Sequence, residues 1–316
     1  MARYLIRRLL AAIPVMVMVA TAVFLLLFLT PGDPAAVILG PDAKAEQVAE
    51  LRARLGLDQP VHVQLVNWYV RLLRGDLGRS IFENRPVTEA IMSRAEPTLL
   101  LTTLATLVAV TLGLSMGLIA ALRRGRWQDT GAMLVAIGGV SMPTFWLGLN
   151  LIFVFGVLLG WLPVAGYQPP SSGLWESLRY LILPAVTLGL FQAALLARLT
   201  RSMMLETLGD DYVRTARAKG LAEQAVVVRH AFRNAAIPLL TVIGLIFAAL
   251  MGGAVITEQV FNIPGGGRML IQAVARRDYP VVQGVVMIVA GLYVLINLIV
   301  DVLYGYLDPR LRVGRG

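Results

Sequence analysis

The chain contains no cysteine and only two histidines, His62 and His230, among its 316 residues. Without thiols, disulfide frameworks, cysteine-based metal sites and cysteine nucleophiles are excluded, and two imidazoles leave little for metal ligation. Charge is scarce as well: Asp, Glu, Lys and Arg make up 15% of the residues, against about a quarter in an ordinary soluble domain. Lys44 and Lys219 are the only lysines, so the basic side is almost wholly arginine. No G-x-x-x-x-G-K-[ST] phosphate loop occurs, and the glycine run at 265–267 lacks the lysine, so the chain does not bind ATP by that device. Basic stripes interleaved with aromatics are also missing, which sets aside nucleic acid as the reason for a net charge of +9.

What the chain has in abundance is apolar length, with 57% hydrophobic residues and a mean hydropathy of +0.73. Six runs, at 9–30, 97–122, 131–160, 180–200, 237–257 and 282–304, reach the roughly 20 residues that a spanning helix needs. The sequence therefore predicts an all-α membrane protein with six transmembrane helices. The third run is long enough to tilt or to end in a re-entrant turn, and Pro143 should kink it. The first follows Arg3, Arg7 and Arg8 as a signal core would, but it is too long for one and no A-x-A site follows, so it reads as a retained anchor.

Lys and Arg set the direction. The N-terminus, 123–129, 198–236 and 305–316 hold 16 basic residues (3, 3, 7 and 3 in that order) against six acids, while the opposite side holds 12 of each. Both termini and the 198–236 loop are expected to be cytoplasmic. Four parts follow: 1–30, the N-terminal end and first span; 31–95, an extracytoplasmic helical segment; 96–306, the membrane core with its cytoplasmic loop 202–236; and 307–316, a tail. In the external segment Asp42 can cap a short helix bearing Val48, Leu51 and Leu55, stopped by Gly56. Asp58 and Pro60 start a second, ending at Gly75, whose Trp68 and Tyr69 suit a membrane interface. This pair is expected to pack over the outer mouth of the spans.

The most informative loop is "YVRTARAKGLAEQAVVVRHAFRNAAIPLL", residues 212–240. Its helical composition breaks at Gly220, the natural residue for a left-handed helix end, and Pro238 marks the start of span five. Two short helices at an angle are expected. A basic amphipathic helix lying on lipid is one reading. The other is docking into another protein's groove, because Leu221, Ala225, Val228 and Phe232 form only a modest apolar stripe and Ala216 and Ala218 are small.

This stretch resembles the EAA loop of permease subunits in bacterial ATP-binding-cassette importers, with Arg214, Thr215 and Ala216 at the triplet and Gly220 at the glycine. The first two positions depart from Glu-Ala-Ala in the manner of the peptide, dipeptide and nickel branch. "LGLDQPVHVQLVNWYVRLLRGDLGRS", "VFNIPGGGRMLIQAVARRDYPVVQG" and "NLIVDVLYGYLDPRLR" are similar to the same branch. The resemblance implies the type I importer fold and import of peptides or similar small solutes, with nickel or glutathione as the alternative cargo within the family. It implies a second homologous permease, two ATP-binding subunits carrying ATP and Mg, and an extracytoplasmic solute-binding protein. It also implies that Arg214, Thr215, Ala216, Ala218, Lys219, Gly220 and Leu221 meet an ATPase, with no catalytic residue, metal or cofactor in this chain.

Other residues carry two readings each. "GLSMG" at 113–117 matches the G-x-S-x-G hydrolase signature, but Ser115 lies within a span with no histidine in reach, and Gly113 and Gly117 suit close helix packing. Asp301 reads as a proton-relay acid or as the partner of a basic side chain near Arg310 and Arg312. Ser141, Thr144 and Trp146 line the path or fill a bend, and Glu258, Arg276, Arg277 and Asp278 contact solute or binding protein or form a solvated rim. An ion-coupled secondary transporter is the main competing class, weakened because Asp301 is the lone acid within a span and no internal repeat is evident. An intramembrane hydrolase is the third.

Overall fold

The computed structural model describes residues 2–29, 33–40 and 42–307. In a bilayer every backbone N–H and C=O must be satisfied within the protein, and long apolar runs achieve this as helices. Among the described residues there is accordingly no strand, only an isolated bridge between Arg79 and Pro86. The helices are α1 (Ala2–Leu29), α2 (Pro34–Leu39), α3 (Ala45–Leu55), α4 (Val61–Leu73), α5 (Val87–Leu122), α6 (Trp127–Ser141) and α7 (Thr144–Leu151). They continue with α8 (Leu174–Leu208), α9 (Asp211–Ala218), α10 (Glu223–Ala225), α11 (Arg233–Gly253), α12 (Val255–Val260), α13 (Gly266–Arg276) and α14 (Tyr279–Leu307). Wide π-helical turns follow α7 at Ile152–Leu158 and join α10 to α11 at Val226–Phe232.

Among the described residues five helical stretches are long and apolar enough to cross a membrane, and α6 with the helix after Pro143 makes a sixth span broken by a 102° bend. The expected kink is thus a full break. Pro143 removes a backbone donor and pushes Met142 into extended backbone (ψ 130°), so the α6 ladder ends at Ser141. Helices run past the apolar windows: α5 begins at Val87 and α8 spans Leu174–Leu208. Charged turns bearing Glu89, Arg94, Glu176 and Arg201 lower hydropathy without interrupting the helix. At 36 residues α5 is about 54 Å long, well beyond a bilayer core of about 30 Å.

The core is the α5–α8 seam. A Cβ on Gly113 would sit 2.8 Å from the Leu196 Cβ, one on Gly117 2.5 Å from the Thr200 Cβ, and one on Gly189 2.7 Å from the Ala105 carbonyl oxygen. Ala105, Ala109, Ala193 and Ala197 are buried beside them. Close backbone approach is how apolar helices gain packing energy where lipid is as oily as leucine. The expectation for Gly113 and Gly117 therefore holds, while Ser115 between them is exposed and far from a hydrolase elbow.

Two ends of the bundle can be told apart. The Gly220 end gathers the C-termini of α5 and α8 with α9; the Glu258 end gathers the N-termini of α5, α13 and α14. Near the Gly220 end Asp301 pairs with Arg8 of α1 at 3.0 Å. The basic-partner reading is met by this arginine; Arg310 and Arg312 lie outside the described residues.

The external segment differs in detail from expectation. Lys44, not Asp42, is the N-cap of α3, with its backbone N–H bonded to the Gln47 side chain, while Gly56 ends the helix in the left-handed region as expected. Between Asp33 and Gly40 lies the further short helix α2, capped by the Asp33 carboxylate. Helix α4 does not cover the bundle mouth: Trp68 is buried among Ala20, Phe24 and Met287 on the flank of α1 and α14.

Replacing Gly117 by Val should overpack the α5–α8 seam and cost about 1–3 kcal/mol. Gly131→Ala, where an added Cβ meets nothing within 4 Å, should be neutral or slightly stabilising. Thermal unfolding of the detergent-purified protein distinguishes the two; equal melting temperatures would contradict the seam.

Candidate functional site

The Gly220 turn is built from the chain's own core outward. Val213 and Ala216 on one face of α9 are buried against Val226, Val227 and Ala231, with Ala121 and Met204 completing the cluster. The opposite face, with Arg214, Thr215, Arg217, Ala218 and Lys219, is exposed. Ala216 therefore holds the loop to the bundle instead of contributing to an outer docking face, while Ala218 remains available. Thr215 Oγ1 donates to the Asp211 carbonyl at 2.9 Å, and Arg214 reaches the Gly209 carbonyl at 3.2 Å. Both fix side chains along α9.

Gly220 adopts φ +79°, and its N–H closes the turn on the Arg217 carbonyl at 2.9 Å. Nothing lies within 4 Å of a Cβ built there, so backbone conformation, not crowding inside the chain, demands glycine. Across the turn Arg217 grips the Glu223 carboxylate through two nitrogens, at 3.1 and 2.8 Å. Both side chains are substantially exposed, so the pair orients the turn more than it stabilises the fold. The second arm is not a separate short helix. From Glu223 it runs through the π turn into α11, and Pro238 lies inside that helix instead of at its start. An apolar-run reading misses this because Arg229, His230 and Arg233 interrupt hydropathy but not hydrogen bonding.

At the same end of the bundle, Asp129 at the start of α6 accepts from Arg201 Nε at 2.6 Å and Nη2 at 2.8 Å, and from the Gly125 N–H at 3.0 Å. This bidentate pair pins the α5–α6 connection to α8. Sequence reasoning did not single out either residue, because the partners stand 72 positions apart.

At the other end the structure moves two expected rim residues inside. Glu258 is fully buried and Asp278 is 4% exposed. Thr98 of α5 donates to Glu258 Oε1 at 2.7 Å and accepts from the Gly266 N–H at 2.9 Å, while the Arg268 N–H reaches Oε2 at 2.8 Å. The carboxylate thus occupies the N-terminus of α13, where free N–H groups and the helix dipole favour an anion. The 265–267 glycine run does cradle a carboxyl group, and it is the chain's own side chain: a Cβ on Gly265 would sit 2.2 Å from the Glu258 carboxyl carbon. Burial pushes the Glu258 carboxyl above its ordinary range, with the Thr98, Arg268 and Gly267 donors pulling it back. Asp278 accepts from Ser80 Oγ at 2.5 Å and from the Ile81 N–H at 3.3 Å, tying the end of α13 to the loop before α5. Arg277 is the left-handed cap of α13 at φ +58°, and Arg276 is exposed beside a shallow cleft that also touches Ser80 and Gln272.

Ser141 and Trp146 are exposed and Thr144 half-buried around the 102° break, and the Ser141 hydroxyl donates back to the Ile137 carbonyl at 2.9 Å. Helix α7 packs on α8 and α12, where Gly148 faces Phe261 and Thr187. The break and Glu258 therefore sit on neighbouring elements, but Glu258 faces inward. Among the described residues no group of acids and histidines is arranged to hold a metal.

The described residues thus form five spans and a sixth, broken one, with a glycine-turn loop at one end. The chain matches the family described as binding-protein-dependent transport system inner membrane component over residues 113–313, and the N-terminal component of the same description over 1–102. It belongs to that family. It is 49% identical over 312 residues to a Brucella abortus protein named as a peptide transport system permease, covering 99% of each chain. It is 46% identical, with the same coverage, to the glutathione transport system permease of Salmonella typhimurium. Among solved structures, an inward-facing form of the MetNI methionine ABC transporter aligns with TM-score 0.56 at 17% identity, covering 70% of this chain and 97% of that one. An amino acid ABC transporter aligns with TM-score 0.50 at 19% identity, covering 71% and 94%. Both likenesses concern the fold.

The Glu258 knot yields a pH signature. A carboxyl whose folded pKa is raised above its ordinary 4.5 takes up its proton in the folded state first. Its contribution is full below that value and declines as pH rises through the folded pKa. Melting temperatures of the native protein and Glu258→Gln, compared from pH 4.5 upward, should diverge in slope, the native protein losing more. Gly265→Ala, which has no backbone strain at φ −94°, should destabilise at every pH; a neutral result would remove the cradle.

Proposed function

We propose that this chain is one permease of an ATP-driven importer that moves di- or oligopeptides, or solutes of similar chemistry, across the cytoplasmic membrane by alternating access. The observation that carries the reading is the Gly220 turn. It is an exposed, basic, left-handed bend, braced by Arg217–Glu223 and continuous through α10 and α11 with a complete span. A partner gripping Arg214, Thr215, Ala218, Lys219 and Leu221 would move that span with it. The partners proposed are two ATP-binding subunits, which carry ATP and Mg, a second homologous permease, and an extracytoplasmic solute-binding protein. The missing phosphate loop supports placing ATP hydrolysis in other chains. The arginine distribution supports a cytoplasmic Gly220 end and an extracytoplasmic Glu258 end.

The peptide assignment is supported by the Brucella relative's name, and glutathione, itself a tripeptide, by the Salmonella relative's. Uptake of labelled dipeptides and of glutathione into liposomes containing the whole transporter and its binding protein separates the two. Transport of neither, and of no longer peptide offered in the same assay, would refute the substrate class.

For orientation, single cysteines at Ala45 and Ala222 should react with an impermeant thiol reagent from opposite faces only, on a background free of native cysteine. Labelling from one face would reverse the reading. For coupling, Gly220→Val forces a β-branched residue into the left-handed region and crowds the docking face. If about 3 kcal/mol of interface energy is lost, binding weakens roughly a hundredfold. The variant should insert normally, yet ATP-binding subunits should fail to co-purify. Wild-type recovery of both the subunits and transport-linked ATP hydrolysis would refute the coupling role.

A further inference from the structure

Helix α4 has a placement that its sequence position does not announce. Tyr69 Oη lies 2.9 Å from the Val17 carbonyl and 2.7 Å from Thr21 Oγ1, and the Trp68 ring lies 6.0 Å from that of Phe24, tilted by 44°. The apolar run of α1 continues to Leu29, so Phe24, which Trp68 meets, is five residues inside it, about 8 Å along the axis, and Val17 is twelve, about 18 Å. A second ruler agrees. Met287, buried with Trp68, is five residues inside the apolar run at 282–304, again about 8 Å. Half of a bilayer core is roughly 15 Å. Both neighbours therefore place the packed face of α4 at the depth of the acyl chains.

The rest of α4 fits that depth. With successive residues about 100° apart, three faces result. Leu65, Trp68, Tyr69 and Leu72 face α1 and α14. Val66, Val70 and Leu73 form an adjoining apolar face, 58%, 40% and 87% exposed. Gln64, Asn67, Arg71 and Arg74 make the third, polar face, with His62 in the first turn at the apolar edge. At 13 residues the helix is about 20 Å long, too short to cross. Asp58 and Gln59 precede it and Gly75 and Asp76 follow it, so both ends return to water.

We propose that α4 is an in-membrane interfacial helix, seated in the leaflet at the Glu258 end, with Val66, Val70 and Leu73 against lipid acyl chains and Arg71 and Arg74 reaching lipid phosphates. It extends the lipid-facing surface of α1 instead of belonging to an aqueous domain. This assignment rests on membrane depth and is independent of the solute.

The test uses the assembled transporter in phospholipid nanodiscs, with nitroxide spin labels on single cysteines at Val66, Val70 and Asn67. Lipid-soluble oxygen and a water-soluble nickel chelate serve as the two relaxing agents. Val66 and Val70 should be relaxed several-fold more by oxygen than by the chelate, and Asn67, on the same turns, the reverse. Chelate-dominated relaxation at Val66 and Val70 would place the helix in water. Exclusion of both agents would mean that a protein surface covers it, and identical readings at all three positions would mean that α4 has no lipid side. Each of these overturns the proposal.

Discussion

The close approach of α5 and α8 is the constraint on which the remaining structure depends. Gly113, Gly117 and Gly189 remove the side chains that would hold the two backbones apart. Packing across the seam then fixes the relative height of two helices that extend beyond the bilayer at both ends. Three contacts that shape the two ends of the bundle hang on these helices. Asp129 reaches Arg201 on α8, Thr98 on α5 reaches Glu258, and Met204 near the end of α8 floors the pocket for α9. A slip of the seam would displace all three together.

Charge is used sparingly and mostly inward. The acids that look available from sequence, Glu258 and Asp278, satisfy backbone or hydroxyl donors of their own chain. Their arrangement binds three elements distant in sequence: the start of α5, the helix before α14 and the loop at 80–81. Burying a carboxylate without partners would cost several kcal/mol. Here helix-terminal N–H groups and a threonine hydroxyl offset that cost, so the knot forms only when the segments meet in correct register. Specificity of assembly is its evident product.

Much of the fold was legible because its signals are local. Apolar length gave the spans, Pro143 the break, and Gly220 and Gly56 the left-handed helix ends, each a property of a few consecutive residues. What escaped the sequence was pairing at a distance. Arg8 with Asp301, Asp129 with Arg201, and Trp68 with Met287 join positions separated by dozens to hundreds of residues, and no periodicity encodes them. Buried acids misled for a related reason: an Asp or Glu next to a span reads as a rim residue until the donors that neutralise it are known. The continuous run from α10 into α11 was hidden by charged residues that break hydropathy but leave the helical ladder intact. In the candidate coupling site, the turn and its glycine were readable, whereas the inward orientation of Ala216 was not.

That continuous run has a mechanical consequence. From Glu223 to Gly252 the helix is 30 residues long, about 45 Å if straight, and Arg217 clamps the turn to its first residue. A sideways force on the turn is therefore a torque on a rod, with the clamp preventing the load from dissipating as local unwinding. The weak link is the Val226–Phe232 stretch, where wider π hydrogen-bonding replaces the regular ladder. π turns are among the sites at which helices kink, so a bend of the rod is expected within a few residues of its handle.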